Sequence, residues 1–492
     1  MGEEVKRTTY DRAHRRKYRR KLQLCVDVVE TMLAQSGFDD DEALTGMEIE
    51  CNLVDGDYQP AMSNRYVLDA IADPAYQTEL GAFNIEFNVP PRPLSGDTGL
   101  QLEKEVRASL NAAEQKANSG GAHIVMIGIL PTLMPRHFAQ DWMSESTRYS
   151  ALNDSIFDAR GEDIPINISG PGPLSWRAAS IAPNPLAPVC NCICRCHPTI
   201  SRPTGMRPRC WPGRSWRWAP THPIFSATSC GRRRGSRFLP NPPTPGRRSS
   251  RRRGCAPVWF GEQWITSILD LFKENARYFP SLLPEVSDEG PVAELAAGRA
   301  PQLAELRLHN GTVYRWNRSV YDVADGRPHL RLENRVLPAG PTVIDMLANS
   351  AFYYGALRTL AEADPQPWTK MSFATAQDSF LTAARYGIDA RLHWPGLGEV
   401  TTQQLVLGTL LPMAHEGLQR SGVADEVRER FLGVIEARAE SRRNGASWQV
   451  ATVAALQDRG MNRDDALAEM LRRYCEHMHA NEPVHSWPIE RE

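Results

Sequence analysis

The stretch Thr45-Gly46-Met47-Glu48-Ile49-Glu50 decides the fold class of this chain of 492 residues. Side chains of an extended chain point alternately to opposite faces, so the two glutamates share one face and the two apolar residues share the other. The stretches Asn84-Ile85-Glu86-Phe87-Asn88 and Arg331-Leu332-Glu333-Asn334-Arg335 alternate in the same way. We therefore predict three strands, each with one polar and one apolar face.

A fourth stretch, Glu305-Leu306-Arg307-Leu308-His309, also alternates, and Asn310-Gly311 follows it directly. This dipeptide suits the positive φ angles of a tight turn. We therefore predict a hairpin whose strands are Leu303 to His309 and Thr312 to Arg318.

Helical spacing of apolar residues predicts helices over Tyr18 to Gly37 and Leu100 to Ala117. The pattern turns helical again at Val343 and stays so to about His479, apart from a break at Trp394 to Gly398. Strands in the first two-thirds followed by helices in the last third predict an α+β protein. We expect a largely antiparallel sheet backed by helices, with a helical C-terminal part.

The bulk composition is that of an ordinary globular protein, with a net charge of −1 and 41% hydrophobic residues. The start, Met1 to Leu22, is polar and basic and lacks the apolar core of a signal peptide. The longest apolar run, Ala122 to Leu130, is too short to cross a bilayer. We therefore predict a cytoplasmic protein with no membrane partner.

Burying several strands that present Glu or Arg on one face would cost free energy unless other groups compensate the buried charges. Mg²⁺ ions bound to nucleotide phosphates would compensate, because carboxylates hold hard cations and arginines take phosphate oxygens. The alternative is a set of exposed, salt-bridged strands on a one-sided sheet. The pattern alone leaves both interpretations open.

The segment 184–257 does not match the rest of the chain. There is no Asp or Glu between Asp163 and Glu262, and seven of the ten cysteines lie in this part, at 190, 192, 194, 196, 210, 230 and 255. So many prolines and arginines, with so few aliphatic residues, cannot offset the entropy of ordering by burial. We predict that the segment is disordered.

Three interpretations of this segment compete. It is an arginine-rich nucleic-acid-binding arm, or a metal site at Cys190, Cys192, Cys194, Cys196 and His197, or a stretch translated out of frame. Strict Cys-x-Cys alternation points successive thiols along one face of an extended chain, whereas zinc sites usually space cysteines by two or more residues. We favour the out-of-frame interpretation, and nucleic acid is not an expected partner.

Several motifs together resemble the bacterial and plant-type glutamate–cysteine ligases, which are carboxylate–amine ligases of the glutamine synthetase superfamily. The resemblance covers about 40–180 and 258–490. It is carried by the Gly-x-Glu-x-Glu strand at Gly46 to Glu50, the stretch Glu79 to Pro90, Gly311 to Arg318, Leu332 to Arg335, Ala384 to Ala390, and Arg443 to Gln449.

The resemblance implies ATP and Mg²⁺ as cofactors and glutamate and cysteine as substrates. By the resemblance Glu48, Glu50, Glu86 and Glu333 would bind Mg²⁺, and Arg318 and Arg335 would contact ATP phosphates or the transferred phosphoryl group. The resemblance also implies that substrate or ATP is contacted by Arg307, Asn317 and Arg331. ATP would phosphorylate the γ-carboxylate of glutamate, and the amine of cysteine would attack the acyl phosphate.

The resemblance also implies a domain organisation. We divide the chain into an N-terminal helix (1–40), a first part of the catalytic domain (41–183), the anomalous segment (184–257), a second catalytic part (258–345) and a helical part of the same domain (346–492).

The anomalous segment departs from the family at Val189 to Pro198. In relatives the sequence at this place resembles Val-Gln-Leu-His-Leu-Gln-Val-Ser-Pro. This chain has Val189-Cys190-Asn191-Cys192-Ile193-Cys194-Arg195-Cys196-His197-Pro198. With codons chosen from the degenerate code, GTG TGC AAT TGC ATC TGC AGG TGT CAC CC gives this sequence. The same bases read in a shifted frame, GTG CAA TTG CAT CTG CAG GTG TCA CCC, give that of the relatives. We therefore predict that one strand and its histidine are missing, and that the chain as written is poorly folded or inactive.

Two other functions remain open. Nothing in Arg307, His309 or Trp316 fixes the amine as cysteine, so the chain could join another acid and amine. A nucleic-acid-binding protein acting through 184–257 is the non-enzymatic alternative.

Overall fold

An antiparallel sheet of seven strands organises the protein, as seen in a computed structural model. The strand order is β2-β3-β1-β7-β9-β8, and β4 also pairs with β1. The model describes Val5, Arg7 and residues 10–35, 37–38, 44–139, 141–168, 174–181, 189–196 and 261–489. The sheet strands are β1 (Leu44–Val54), β2 (Tyr76–Thr78), β3 (Asn84–Pro93), β4 (His123–Val125), β7 (Cys190–Cys196), β8 (Asn317–Ala324) and β9 (Arg327–Asn334).

Two small hairpins lie apart from this sheet: β5 (Ile164–Ile168) pairs with β6 (Leu174–Ala178), and β10 (Arg391–Trp394) pairs with β11 (Gly398–Thr401). The α+β class and the antiparallel sheet are therefore confirmed. The strands predicted from the Glu48, Glu86 and Glu333 stretches all belong to the main sheet.

The register of the sheet aligns the polar residues of neighbouring strands. Glu50 lies opposite Glu86 on β3, and Glu48 lies opposite Asn191 on β7. On the far side of β7, Glu333 lies opposite Arg318 on β8. Because facing residues of paired strands share one face, the charged side chains form a continuous polar surface.

Helices cover the apolar face of the sheet. The central one is α8 (Val343–Glu362), in which nearly every residue is buried. Its Tyr354 hydroxyl lies 3.1 Å from the Gly46 carbonyl of β1 and 3.2 Å from the Ile193 carbonyl of β7, both of which accept from it. One hydrophobic core includes residues from Tyr18 to Trp487.

The helices before α8 are α1 (Arg12–Ala34), α2 (Asn64–Ile71), α3 (Thr98–Ser119), α4 (Thr147–Arg160), α5 (Ile268–Tyr278), α6 (Pro291–Ala296) and α7 (Ala304–Gly311). From there on they are α8 (Val343–Glu362), α9 (Phe373–Tyr386), α10 (Thr402–Leu405), α11 (Leu411–Arg420), α12 (Asp425–Ser441), α13 (Gly445–Asp458) and α14 (Arg463–Ala480). None of the helices in the described part of the chain is long and apolar enough to span a membrane.

Two glycines let α8 and α11 approach backbone to backbone. A Cβ atom added to Gly417 would collide with the carbonyl group of Gly355, and one added to Gly355 would collide with that of Ala414. Neither glycine has a positive φ, so close approach rather than backbone conformation requires the missing side chain.

The predicted hairpin at Asn310-Gly311 is wrong, because Ala304–Gly311 forms helix α7. Its buried residues, Glu305, Leu306, His309 and Asn310, recur with helical spacing. The alternation of polar and apolar residues over these five positions is therefore a feature of the composition and does not mark a strand. The tight hairpin lies further on, between β8 and β9, where Asp325 and Gly326 have φ angles of 51° and 74°. Positive φ at both central residues is typical of a type I′ turn.

The prediction that the sheet lacks a strand after Val189 is also wrong. Cys190–Cys196 forms β7, which pairs with β1 on one side and β9 on the other. The thiols of Cys190, Cys192 and Cys194 face the core, as the Cys-x-Cys alternation predicts, and Asn191 faces the polar surface. His197 and the rest of 184–257, except 189–196, lie outside the described residues, as does the predicted disorder there.

Candidate active site

A cavity of about 750 Å³ lies over the polar face of the sheet. Its size is in the range of sites for small molecules and cofactors. All but one of the nine site residues predicted from the sequence line it: Glu48, Glu50, Glu86, Arg307, Arg318, Arg331, Glu333 and Arg335. These residues come from β1, β3, β8, β9, α7 and the position directly after β9, so the fold brings together positions almost 290 residues apart.

Three carboxylates meet at one end of the cavity. Glu50, Glu79 and Glu86 each place an oxygen within 4.8 Å of the other two. Glu79 precedes β3, and its Oε2 accepts a hydrogen bond of 3.0 Å from the Leu80 amide. Within the described residues this is the one group of three or more acidic, His or Cys side chains with the spacing of metal ligands.

Burial raises the pKa of four carboxyl groups in the cavity. It raises the pKa of Glu48 to about 7, that of Glu50 to about 8, and those of Glu79 and Glu86 to about 7. Neighbouring carboxylates raise these pKa values further, because like charges disfavour ionisation. A cation bound among them would favour the ionised forms.

Glu333 differs from the other four because two arginines pair with it. Arg318 Nη2 lies 2.6 Å from Glu333 Oε2, and Arg335 Nη1 donates to Glu333 Oε1. Although burial opposes ionisation, the two guanidinium groups lower the pKa of Glu333 to about 2. Arg335 also reaches toward Glu50, with 3.9 Å between Nη2 and Oε1. It therefore links the two ends of the carboxylate cluster.

Neighbouring groups fix the orientation of the carboxylates. Asn191 Nδ2 donates to Glu48 Oε2 at 3.0 Å, and Asn88 Nδ2 donates to Glu86 Oε1 at 2.9 Å. The Val189 amide donates to Glu50 Oε2 at 3.0 Å. Groups of this kind hold metal ligands in place in known metal sites.

The donor set fits Mg²⁺. Beside Arg318 and Arg335 lie the five carboxylates of Glu48, Glu50, Glu79, Glu86 and Glu333, and every candidate ligand atom among them is an oxygen, as Mg²⁺ requires. The buried Oδ1 atoms of Asn84 and Asn191 have no hydrogen-bond partner among the described residues. A cation or its bound water would satisfy such acceptors.

Arg307 and Arg331 lie further along the cavity, on either side of Asp322. Arg307 Nη2 is 3.2 Å from Asp322 Oδ1, and Arg331 Nη2 is 3.0 Å from Asp322 Oδ2. Asn317 lies elsewhere: its Oδ1 accepts from Asn334 Nδ2 at 2.9 Å, on the strand face opposite Arg318. The structure thus does not bring Asn317 together with the other predicted residues.

Glu79 is the site residue that the alternation of polar residues missed. It lies in the loop between β2 and β3, so counting along a strand cannot reach it. The available signal was its place at the start of the stretch Glu79 to Pro90, seven positions before Glu86.

Comparison with known proteins gives distant structural similarities only. No protein-family model matches the chain. No curated protein matches it either. A glutamate–cysteine ligase from Francisella tularensis, solved in complex with AMP, is 12% identical with a TM-score of 0.49, and the match covers 92% of this chain and 91% of that one.

Two further solved structures are similar. The ligase PafA, in complex with the prokaryotic ubiquitin-like protein Pup, is 12% identical with a TM-score of 0.36, over 87% of this chain and 71% of that one. A bifunctional glutathione synthetase from Pasteurella multocida is 11% identical with a TM-score of 0.43, over 92% of this chain and 54% of that one. Similarities this distant do not assign a function, so the function is argued from the cavity.

Proposed function

We propose that the protein is an ATP-dependent carboxylate–amine ligase that uses Mg²⁺ and joins L-glutamate, through its γ-carboxylate, to L-cysteine. The observation that carries this proposal is the cluster of five carboxylates with two arginines on the polar face of the sheet. Such a surface suits polyphosphate and its cations better than it suits a neutral substrate.

Each side chain then has a defined task. Glu50, Glu79 and Glu86, with Glu48 beside them, would hold Mg²⁺, which when bound neutralises charge on the phosphate oxygens. Arg318 and Arg335 pair with Glu333 and line the cavity, where they would contact the phosphoryl group in transfer. Arg307 and Arg331 would hold the other anionic groups of glutamate or ATP.

The reaction needs no nucleophilic side chain. The γ-carboxylate of glutamate attacks the terminal phosphorus of ATP, and ADP leaves. The amine of cysteine then attacks the acyl phosphate, and inorganic phosphate leaves as the amide forms. The protein contributes positioning and charge stabilisation, which dominate phosphoryl transfer.

A phosphate-release assay tests the proposal. Release should require ATP, Mg²⁺, glutamate and cysteine together, and Glu86→Gln should lower kcat by about 100-fold or more because it removes a carboxylate that holds Mg²⁺. Glu145→Gln is the matched control, since Glu145 is exposed and forms an ion pair with Arg65 on the surface. Release without added amino acids, or equal rates in both variants, would contradict the proposal.

The amine and acid are open to a direct test with the same assay. A panel of amino acids in place of cysteine, and of dicarboxylic acids in place of glutamate, would identify another substrate pair. Of the segment 184–257 the structure describes only 189–196, which includes the sheet strand β7. We expect the full chain to show no salt-sensitive binding of nucleic acid, and such binding would favour the nucleic-acid-binding alternative.

We also infer that part of 184–257 is translated out of frame, from its composition and from the shifted codons at Val189 to Pro198. Resequencing the coding DNA from about codon 160 to codon 270 tests this inference. A compensating pair of insertions or deletions would support it. A confirmed frame would refute it, and the cysteine-bearing β7 would then be the natural strand.

A further inference from the structure

Helix α1 begins with a dense run of basic residues. Seven of the ten residues from Arg12 to Lys21 are Arg or Lys, and no acidic residue occurs between Asp11 and Asp27. The apolar side of the helix, which includes Tyr18 and Leu22, is buried against the rest of the protein. The positive charge of the run therefore collects on the side of the helix that faces away from the core.

Four exposed members of this run have no partner in the part of the chain that the structure describes. We call them the basic face of α1; they are Arg12, Arg16, Lys17 and Arg20. Their side chains form no hydrogen bond or ion pair with any described residue. Arg15 differs, because its Nη1 donates to the Ser281 carbonyl oxygen at 3.0 Å, and so does Lys21, whose Nζ lies 3.1 Å from Glu305 Oε1. None of the four lines the large cavity.

The basic face is unfavourable for the helix that carries it. Arg12, Arg16 and Arg20 lie at every fourth position, where like charges repel one another. The N-terminal end of a helix carries partial positive charge, so cations in its first turns are unfavourable as well. The acidic residue at this end, the N-cap Asp11, lies 2.8 Å from His14 Nδ1. Local costs that no contact among the described residues offsets are expected at functional sites.

The spacing and chemistry of the basic face favour an acidic helix as its partner. Arginines at every fourth position are separated by a rise of about 6 Å along α1. Carboxylates at every fourth position of a second helix have the same rise, so the two rows match over several turns. Guanidinium groups also bind carboxylates through two parallel hydrogen bonds, which makes such pairs directional.

Two other anionic partners fit the basic face less well. One side of α1 is buried, so the helix protrudes by about half its diameter of 10–12 Å, less than the major-groove depth of about 8.5 Å. The basic face also has no aromatic ring on which bases could stack. A helix that binds a membrane surface presents an apolar face, whereas along α1, which is described throughout, Leu24 is the one exposed large apolar residue.

We propose that the basic face of α1 docks a partner protein through an acidic helix whose Glu or Asp residues recur at every fourth position. The carboxylates of the partner pair with Arg12, Arg16 and Arg20, and Lys17 adds positive charge beside this row. Docking relieves the repulsion within α1. This surface lies apart from the large cavity, so the inference does not depend on the proposed function.

Fluorescence anisotropy of a labelled peptide titrated with the full chain tests the proposal. The probe is an alanine-rich helical peptide with a glutamate at every fourth position. Its control has the same composition, with the glutamates spread around the helix. At low ionic strength the probe should bind about tenfold more tightly than the control, and added salt should weaken its binding. Equal affinity of the two peptides would overturn the proposal.

A triple variant locates the binding on α1. Together, Arg12→Gln, Arg16→Gln and Arg20→Gln should weaken binding of the probe by about tenfold or more, because three ion pairs are lost. The Tm of this variant should not fall, because repulsion between like charges is removed. Unchanged binding of the probe would place it elsewhere on the protein and overturn the proposal.

A second triple variant is the matched control for net charge. It changes the charge by the same amount at exposed sites elsewhere, through Arg65→Gln, Arg299→Gln and Arg391→Gln. This variant should bind the probe as the unchanged protein does. A loss of binding equal to that of the α1 variant would mean that only net charge matters, which would overturn the proposal.

Two further probes separate the other anionic partners at the same ionic strength. They are vesicles of phosphatidylcholine with phosphatidylserine, and duplex DNA. Neither should bind as tightly as the acidic peptide. Tighter binding of either one that the α1 variant abolishes would assign the basic face to lipid or to nucleic acid and overturn the proposal.

Discussion

Removing Mg²⁺ should change how the stability of the protein depends on pH. Without a divalent cation, the folded protein keeps protons on Glu48, Glu50, Glu79 and Glu86, whose pKa values rise from 4.5 to about 7 or 8. The unfolded chain loses these protons near pH 4.5. The folded state therefore binds more protons across this window, and the free energy of unfolding falls as pH rises from about 4.5 to 8.

The size of the effect follows from the shift of one carboxyl group. A pKa raised from 4.5 to about 7 corresponds to roughly 3 kcal/mol lost across the window. For 492 residues the entropy of unfolding is about 1 kcal/mol per degree, so Tm should fall by about 3 °C for each such group. Under the proposed function Mg²⁺ binds the ionised carboxylates, so it should raise Tm much more at pH 8 than at pH 5.5.

Thermal unfolding in EDTA and in Mg²⁺, at matched ionic strength and several pH values, measures this effect. Glu79→Gln should flatten the pH dependence in EDTA and shrink the rise in Tm with Mg²⁺, whereas the control Glu145→Gln should do neither. An equal effect of Mg²⁺ at pH 5.5 and pH 8 would refute the argument, since it would mean that the carboxyl groups do not take up the cation in place of protons.

Four further changes have expected outcomes. Arg335→Ala should lower kcat for ATP-dependent phosphate release by about 100-fold or more, because the proposed function makes Arg335 a donor to the transferred group; Arg335→Lys should restore only part. Asn191→Leu should weaken Mg²⁺ binding about 10- to 100-fold by calorimetry, because Glu48 loses its orienting donor. Gly417→Ala should destabilise by several kcal/mol in chemical unfolding, through collision with Gly355, whereas Gly433→Ala, with open space around it, should stabilise by up to about 1 kcal/mol. Gly326→Ala should cost about 1 kcal/mol in the same assay, because its φ is positive.

The sequence predicted the sheet well where polar and apolar residues alternate over a whole strand. The Glu48, Glu86 and Glu333 stretches each bury one face against helices, so period-2 alternation reports their environment directly. The stretch Glu305 to His309 alternates over five residues only, and there α7 packs with helical period instead. Short alternations do not separate strand from helix.

The composition of β7 does not indicate a strand. Cysteine is small and apolar enough for a core, so Cys190, Cys192 and Cys194 are buried on the apolar face of β7. The alternation pattern did not identify Glu79, because this residue lies in a loop and loop residues follow no period. Asn317 is a site residue only by the resemblance of Gly311 to Arg318, and one step along a strand places its side chain on the face opposite that of Arg318.

The contact between Gly355 and Gly417 has a mechanical consequence. Two helices separated by side chains can slide past one another as rotamers change. Here the backbone of each helix packs directly against a carbonyl group of the other, with no side chain between them. α8 and α11 therefore move as one rigid body, and α8 is tied to β1 and β7 through Tyr354. Any opening of the large cavity must then come from the segments on its other side, such as the loop around Glu285 and helix α7.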